Sequence, residues 1–116
     1  MIRVDDDHRI SWRDGITVAD LLQNTKESRS LVGAVINGRY VARSYFDRTK
    51  IPDEAEVRLI PWKDGMTLAE LLNYEIDEDY FYAATVDRRF VPETDFGETV
   101  IPKDSEVWLL PPVGGG

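Results

Sequence analysis

Hydrophobic and polar positions alternate in short runs along the chain, switching between a period of two and a helical period. Ile2-Arg3-Val4 and residues 9–12 are strand-like, joined through the acidic turn Asp5-Asp6-Asp7-His8. Asp14-Gly15 marks a turn that closes the second strand. Thr17 then stands at a helix N-cap position with Asp20 three residues on, which is capping-box spacing. Val18, Leu21 and Leu22 are apolar at i, i+3 and i+4 and predict a short amphipathic helix, followed by a polar loop over 23–30. Leu31-Val32-Gly33-Ala34-Val35-Ile36 reads as a strand, and Asn37-Gly38 behind it is a strong hairpin signal because both residues tolerate positive φ. Residues 39–41 are the return strand, and 56–61 the last strand of the pattern.

The same pattern then returns. Ile10-Ser11-Trp12-Arg13-Asp14-Gly15 matches Ile60-Pro61-Trp62-Lys63-Asp64-Gly65, and the offset of 50 (60 − 10) holds without a gap to the end. Over 10–61 against 60–111, 19 of 52 pairs are identical, which identifies an internal duplication. Thr67 and Glu70 repeat the capping box, and Glu is the usual partner there, so the second copy is expected to cap better. Asp87-Arg88 replaces Asn37-Gly38, and loss of the glycine predicts a looser or different turn. Residues 75–79 should form the loop after the second helix. Trp12, Trp62, Trp108, Phe46 and Phe96 are expected in the core.

Each unit orders as strand, strand, helix, strand, strand, loop, strand. One helix on a mixed sheet in that order predicts an α+β fold of the β-grasp plan. The run 56–62 ends the first unit and aligns with the second strand of the next, leaving no separate first strand for that unit. The expected architecture is therefore two fused units, 1–61 and 57–116, sharing or abutting at the strand around 56–62. Nothing between 52 and 66 resembles a flexible linker.

Composition narrows the function. Fourteen basic against twenty-two acidic residues give a net charge of −8, which disfavours nucleic acid and anionic membranes and favours a basic surface on a protein partner. Cysteine is absent, so disulfides, thiolate metal sites and thiol nucleophiles are excluded, and the single His8 removes most histidine-based catalysis. Adjacent residues cannot readily converge on one ion, so 5–8 reads as a solvated turn and no metal site is expected. The carboxylates show no spacing suited to a catalytic pair, and no activity of the chain's own is expected. No signal-peptide pattern or membrane-length apolar run is present, so the expected location is cytoplasmic.

The end of the chain is the unusual part. Pro111 and Pro112 stop a strand ladder and launch a stiff, extended stalk. Gly114, Gly115 and Gly116 have no Cβ and suit a channel too narrow for side chains, with a carboxylate at the tip. On the tail alone, a frayed end explains the glycines equally well.

Gly15-Ile16-Thr17-Val18-Ala19-Asp20-Leu21-Leu22, Asn37-Gly38-Arg39-Tyr40-Val41-Ala42-Arg43-Ser44 and Pro111-Pro112-Val113-Gly114-Gly115-Gly116 together resemble the ThiS/MoaD sulfur-carrier family of ubiquitin-like β-grasp proteins. The resemblance implies that Gly116 is adenylated and converted to a thiocarboxylate while Gly114 and Gly115 thread a partner's channel. It implies a ThiF/MoeB-like activating enzyme that uses ATP, no cofactor bound by the chain, and a sulfur-acceptor synthase of the thiazole synthase or molybdopterin synthase large-subunit type. The product would serve thiamin or molybdopterin biosynthesis. It further implies partner contacts through the sheet face beside the tail, with Phe90, Leu110, Pro112 and Val113 as the apolar contacts. The first unit has no free glycine end and is read as a scaffold or an added docking surface. A ubiquitin-like modifier, and a tandem β-grasp binding module with a vestigial tail, are the other classes open at this point.

Overall fold

A computed structural model describes residues 1–74, 76 and 82–110 of the chain. The strands are β1 (Ile2–Val4), β2 (His8–Ile10), β3 (Leu31–Ile36), β4 (Arg39–Ala42), β5 (Glu56–Pro61), β6 (Ala83–Val86), β7 (Arg89–Pro92) and β8 (Val107–Leu110). The helix α1 spans Val18–Thr25, and 3-10 helices span Arg43–Tyr45, Leu68–Tyr74 and Glu93–Glu98. Strands β2-β1-β5-β3-β4 form one mixed sheet, in which β1 and β5 are parallel and the other pairs antiparallel. Strands β7-β6-β8 form a second, antiparallel sheet. The protein is α+β, and the strand order of the first sheet is consistent with the β-grasp plan.

Two cores follow from the alternation of side chains along these strands. On one face of the first sheet, Ile2, Val4, Ala34, Ile36, Val57 and Leu59 bury against Val18 and Leu21 of α1. The helix begins with a complete capping box: Asp20 N–H donates to Thr17 Oγ1 at 3.2 Å, and Thr17 N–H to Asp20 Oδ2 at 3.1 Å. It runs through Thr25, further than its apolar positions alone predict, and stops at Lys26 in the left-handed region with φ 55°. Strand β2 ends at Ile10, earlier than expected, and the Trp12 indole N–H is committed to Ile51 O at 2.7 Å.

The opposite face of the same sheet is covered too. Val35 and Ile60, with partly buried Tyr40, enter a second cluster with Leu68, Leu71, Ala84, Val91 and Phe96. This two-sided burial explains why all six residues of β3 are buried and why its sequence reads as one apolar run. Tyr40 lies across Gly33, where an added Cβ would come within 2.7 Å of the ring and hydroxyl. Its hydroxyl reaches Val107 O of β8 at 3.0 Å and Val32 O at 3.3 Å, tying the two sheets together.

Four points refine or correct the sequence expectations. The first concerns the strand at 56–62, for which sharing and abutting were both open. β5 pairs with β1 at Glu56 and Val57 and with β3 over 57–61, and no ladder joins it to the second sheet. The sheets abut through side chains, Ile60 among them. The second concerns the caps. Leu68–Tyr74 is a 3-10 helix in which Glu70 N–H donates to Thr67 O at 3.1 Å, so the tighter turn uses the main-chain carbonyl and the better cap is the first one. The third concerns the turn at Asp87-Arg88, which is as tight as that at Asn37-Gly38. Both residues are left-handed, at φ 51° and 72°, and the flanking pair Val86↔Arg89 matches Ile36↔Arg39. Asp87 Oδ1 accepts from Glu106 N–H at 2.8 Å, as Asn37 Oδ1 does from Glu56 N–H at 2.9 Å, and this bond holds the turn without glycine. The fourth concerns Trp108, which lies on the outer face of the second sheet, with its ring against Tyr45 rather than in the core. Trp12, Trp62, Phe46 and Phe96 do sit in or against the cores. The loop expected over 75–79 falls, Ile76 excepted, outside the described residues.

Two measurements follow. A left-handed arginine is strained where glycine is not, so Arg88→Gly is expected to raise stability by about 0.5–1 kcal/mol in urea unfolding. Tyr40→Phe leaves Val107 O without its donor and is expected to cost about 1–2 kcal/mol. Burial raises the Tyr40 phenol above its ordinary value of 10.0, and the nearby Glu106 charge adds to this. The folded chain thus holds a proton that the unfolded chain releases above pH 10. Tyr40 favours the fold below that pH, and wild type should then lose up to about 1.4 kcal/mol per pH unit relative to Tyr40→Phe. Parallel stability profiles for the two proteins between pH 9 and 11 would contradict this assignment.

Candidate functional site

The chain reaches its tail from the end of β8. Tyr82 N–H donates to Leu110 O at 2.9 Å, so the second sheet holds the chain in register up to the last described residue. Pairing places Ala83, Thr85, Phe90, Pro92, Trp108 and Leu110 on one face, because Phe90↔Thr85↔Trp108 and Pro92↔Ala83↔Leu110 form adjacent cross-strand rows. This is the face turned away from the second core, where Ala84, Val91 and Val107 are buried.

Phe90 is 56% exposed, which is costly for an aromatic ring with no structural duty. Of the residues the sequence points to, Phe90 and Leu110 are brought onto one surface, with Leu110 half-buried. Pro112, Val113, Gly114, Gly115 and Gly116 lie outside the described residues.

Sequence reasoning missed two members of this surface. Trp108 stands where Arg58 stands 50 residues earlier, so its signal was a difference between the two halves, not a similarity. Tyr45 comes from the 3-10 turn of the first half and meets Trp108 edge-on at 4.6 Å and 90°. Arg48 lies over the Tyr45 ring, 5.6 Å from its centroid, and Arg43 reaches Asp104 at 3.4 Å. The first half therefore extends the surface and fixes its border.

The corresponding face of the first sheet has the opposite fate. Tyr40, 50 residues before Phe90, is packed into the junction, as are Val35 and Ile60, which precede Thr85 and Leu110 by the same interval. One face is consumed inside the molecule and the other remains open. Among the described residues no group of His, Asp or Glu is placed to hold a metal, and no helix is long and apolar enough to cross a membrane. The geometry is that of a partly open sheet face beside the last described strand.

The model of the ThiS family matches residues 58–116, which is half of the chain. The chain belongs to the ThiS family. ThiS proteins are small carriers of sulfur rather than enzymes, and they work with activating enzymes and sulfur-transfer partners. The matched segment begins within β5 and contains the whole second sheet, the exposed face and the glycine tail. No curated protein and no solved structure compared with the chain matches it.

Proposed function

We propose that the chain carries sulfur as a thiocarboxylate on Gly116. The observation that carries this reading is the ThiS match running through residue 116, so that family likeness and glycine tail coincide. The open face around Phe90 and Trp108 supports it, because it borders the strand from which the tail leaves.

The chemistry needs little from the chain itself. A carboxylate is a poor electrophile until an ATP-dependent enzyme of the ThiF/MoeB type converts it to an acyl adenylate, releasing pyrophosphate. A sulfur nucleophile then displaces AMP and leaves the thiocarboxylate. No thiol of the carrier takes part, in keeping with the absence of cysteine. Gly114 and Gly115 let the tail enter a narrow channel, and Pro112 and Val113 join Phe90 and Leu110 as apolar contacts at its mouth. The recipient is a sulfur-acceptor synthase serving thiamin or molybdopterin formation, in the cytoplasm.

The first half, in this reading, is a second β-grasp unit that arose by tandem duplication and serves as scaffold and border. Its matching hydrogen bonds support this: Trp12 Nε1 donates to Ile51 O and Trp62 Nε1 to Ile101 O, both at 2.7 Å. Thr49 Oγ1 donates to Tyr45 O and Thr99 Oγ1 to Asp95 O, both at 2.8 Å.

Incubation with the activating enzyme, ATP and a sulfur source is expected to raise the intact mass by about 16 Da, as sulfur replaces one carboxylate oxygen. Adding one residue after Gly116 should abolish the gain, since the carboxylate becomes an amide. A lysine–Gly116 isopeptide in high-mass adducts would instead make the chain a modifier, and no covalent change at all would leave a binding module. Phe90→Asp is expected to weaken binding to the activating enzyme by about 2 kcal/mol while leaving thermal unfolding nearly unchanged, as its exposure implies. Undiminished affinity would remove Phe90 from the interface.

A further inference from the structure

The turn that carries Tyr45 has a counterpart 50 residues later, and the two share internal bonds but not a surface. Thr49 Oγ1 donates to Tyr45 O as Thr99 Oγ1 does to Asp95 O, and Phe46 and Phe96 anchor the turns in the two cores. The outward positions are opposite in character. Arg43, Tyr45 and Arg48 stand in the first turn where Glu93, Asp95 and Glu98 stand in the second. An acidic turn is the ordinary product of a chain with a net charge of −8. The cationic and aromatic turn is the one that borders the open face.

Pairing sets Phe90, Thr85 and Trp108 in one row across the outer face of the second sheet. Tyr45 meets Trp108 with ring centroids 4.6 Å apart, and Arg48 lies over Tyr45 at 5.6 Å. The row therefore crosses from the second half into the first and ends on a guanidinium. Its end is firmly placed: the N–H groups of Arg48 and Thr49 and the Thr49 hydroxyl all donate to Tyr45 O, at 2.8 to 3.0 Å. Arg43 is already paired with Asp104 of the second half. Arg48 is exposed and pairs with no carboxylate among the described residues, the neighbouring Asp47 included. An arginine steadied against a ring with its N–H fork unused is pre-organised for a carboxylate, because less side-chain freedom is lost on binding.

We propose that the activating enzyme sets a carboxylate against Arg48 while its apolar surface covers Phe90 and Trp108, so that the first half takes a direct part in recognition. The inference rests on the carrier reading above and adds the extent and chemistry of the contact. The row adjoins the one that holds Leu110, so a partner at the tail can cover both. Residues 58–116, the segment that matches the family, contain neither Tyr45 nor Arg48, and that segment alone cannot make the contact. An acidic group on the partner is repelled by most of this surface and accepted at Arg48, which fixes the orientation of docking.

The test uses the full chain and its activating enzyme, with sulfur loading read by intact mass. Arg48→Glu is expected to raise KM for the carrier about tenfold with kcat unchanged, and added salt should narrow the gap from wild type. Thermal unfolding should stay nearly the same, since Arg48 is exposed. Arg9→Glu makes the same change of charge on β2, at the far edge of the first sheet from β4, and should leave KM within about twofold of wild type. If the wild type loads and Arg48→Glu matches its KM, or Arg9→Glu raises KM equally, the inference is overturned and the carrier reading stands. A wild type that takes up no sulfur overturns the carrier reading and the inference with it.

Discussion

The contact between the outer face of the first sheet and the second core is what the rest of the molecule depends on. A three-stranded sheet with short 3-10 helices cannot bury much apolar surface alone, and units near this size are marginal. The second half compensates by adopting Val35, Tyr40 and Ile60 as part of its own core. Tyr40 serves both sides at once. Its ring covers Gly33 in β3, and its hydroxyl reaches the outer edge of β8, where an unpaired carbonyl would otherwise face apolar neighbours. The missing first hairpin of the second half is thus replaced by side chains of a neighbour rather than by another strand.

That arrangement accounts for the different fates of two related surfaces. The face centred on Tyr40 holds the molecule together, so the first half is closed to partners there. The face centred on Phe90 stays open, and residues of the first half, Tyr45 above all, stiffen its margin through the contact with Trp108. The ThiS match, which begins at residue 58, falls on the half that retains the open face and the tail.

Much of the fold was legible because local signals and periodicity agreed. The hairpin signals, the apolar triplet in α1 and the run in β3 all form the expected elements. What was not legible was pairing. An alignment places 58–60 opposite 8–10, yet β5 forms ladders with β1, at Glu56 and Val57, and with β3, and none with the second sheet. The turn at Asp87-Arg88 was misread for a related reason: residue preference argued against it, but the bond from Glu106 N–H to Asp87 Oδ1 outweighs the preference. Of the candidate surface, Phe90 and Leu110 were expected through family likeness, whereas Trp108 and Tyr45 were not. Their meeting is a product of how the halves pack, and no spacing along the chain encodes it.

The way β8 is held bears on mechanics. Its ladder bonds to β6 run across the strand, and Tyr82 N–H ties down the carbonyl of Leu110. A pull transmitted along the chain past Leu110 loads those bonds in shear, together, instead of peeling them apart one at a time. Tyr40 adds a cross-tie on the opposite edge at Val107. Tension applied to the end of the chain would therefore be borne by the whole ladder at once, without unravelling the sheet behind it.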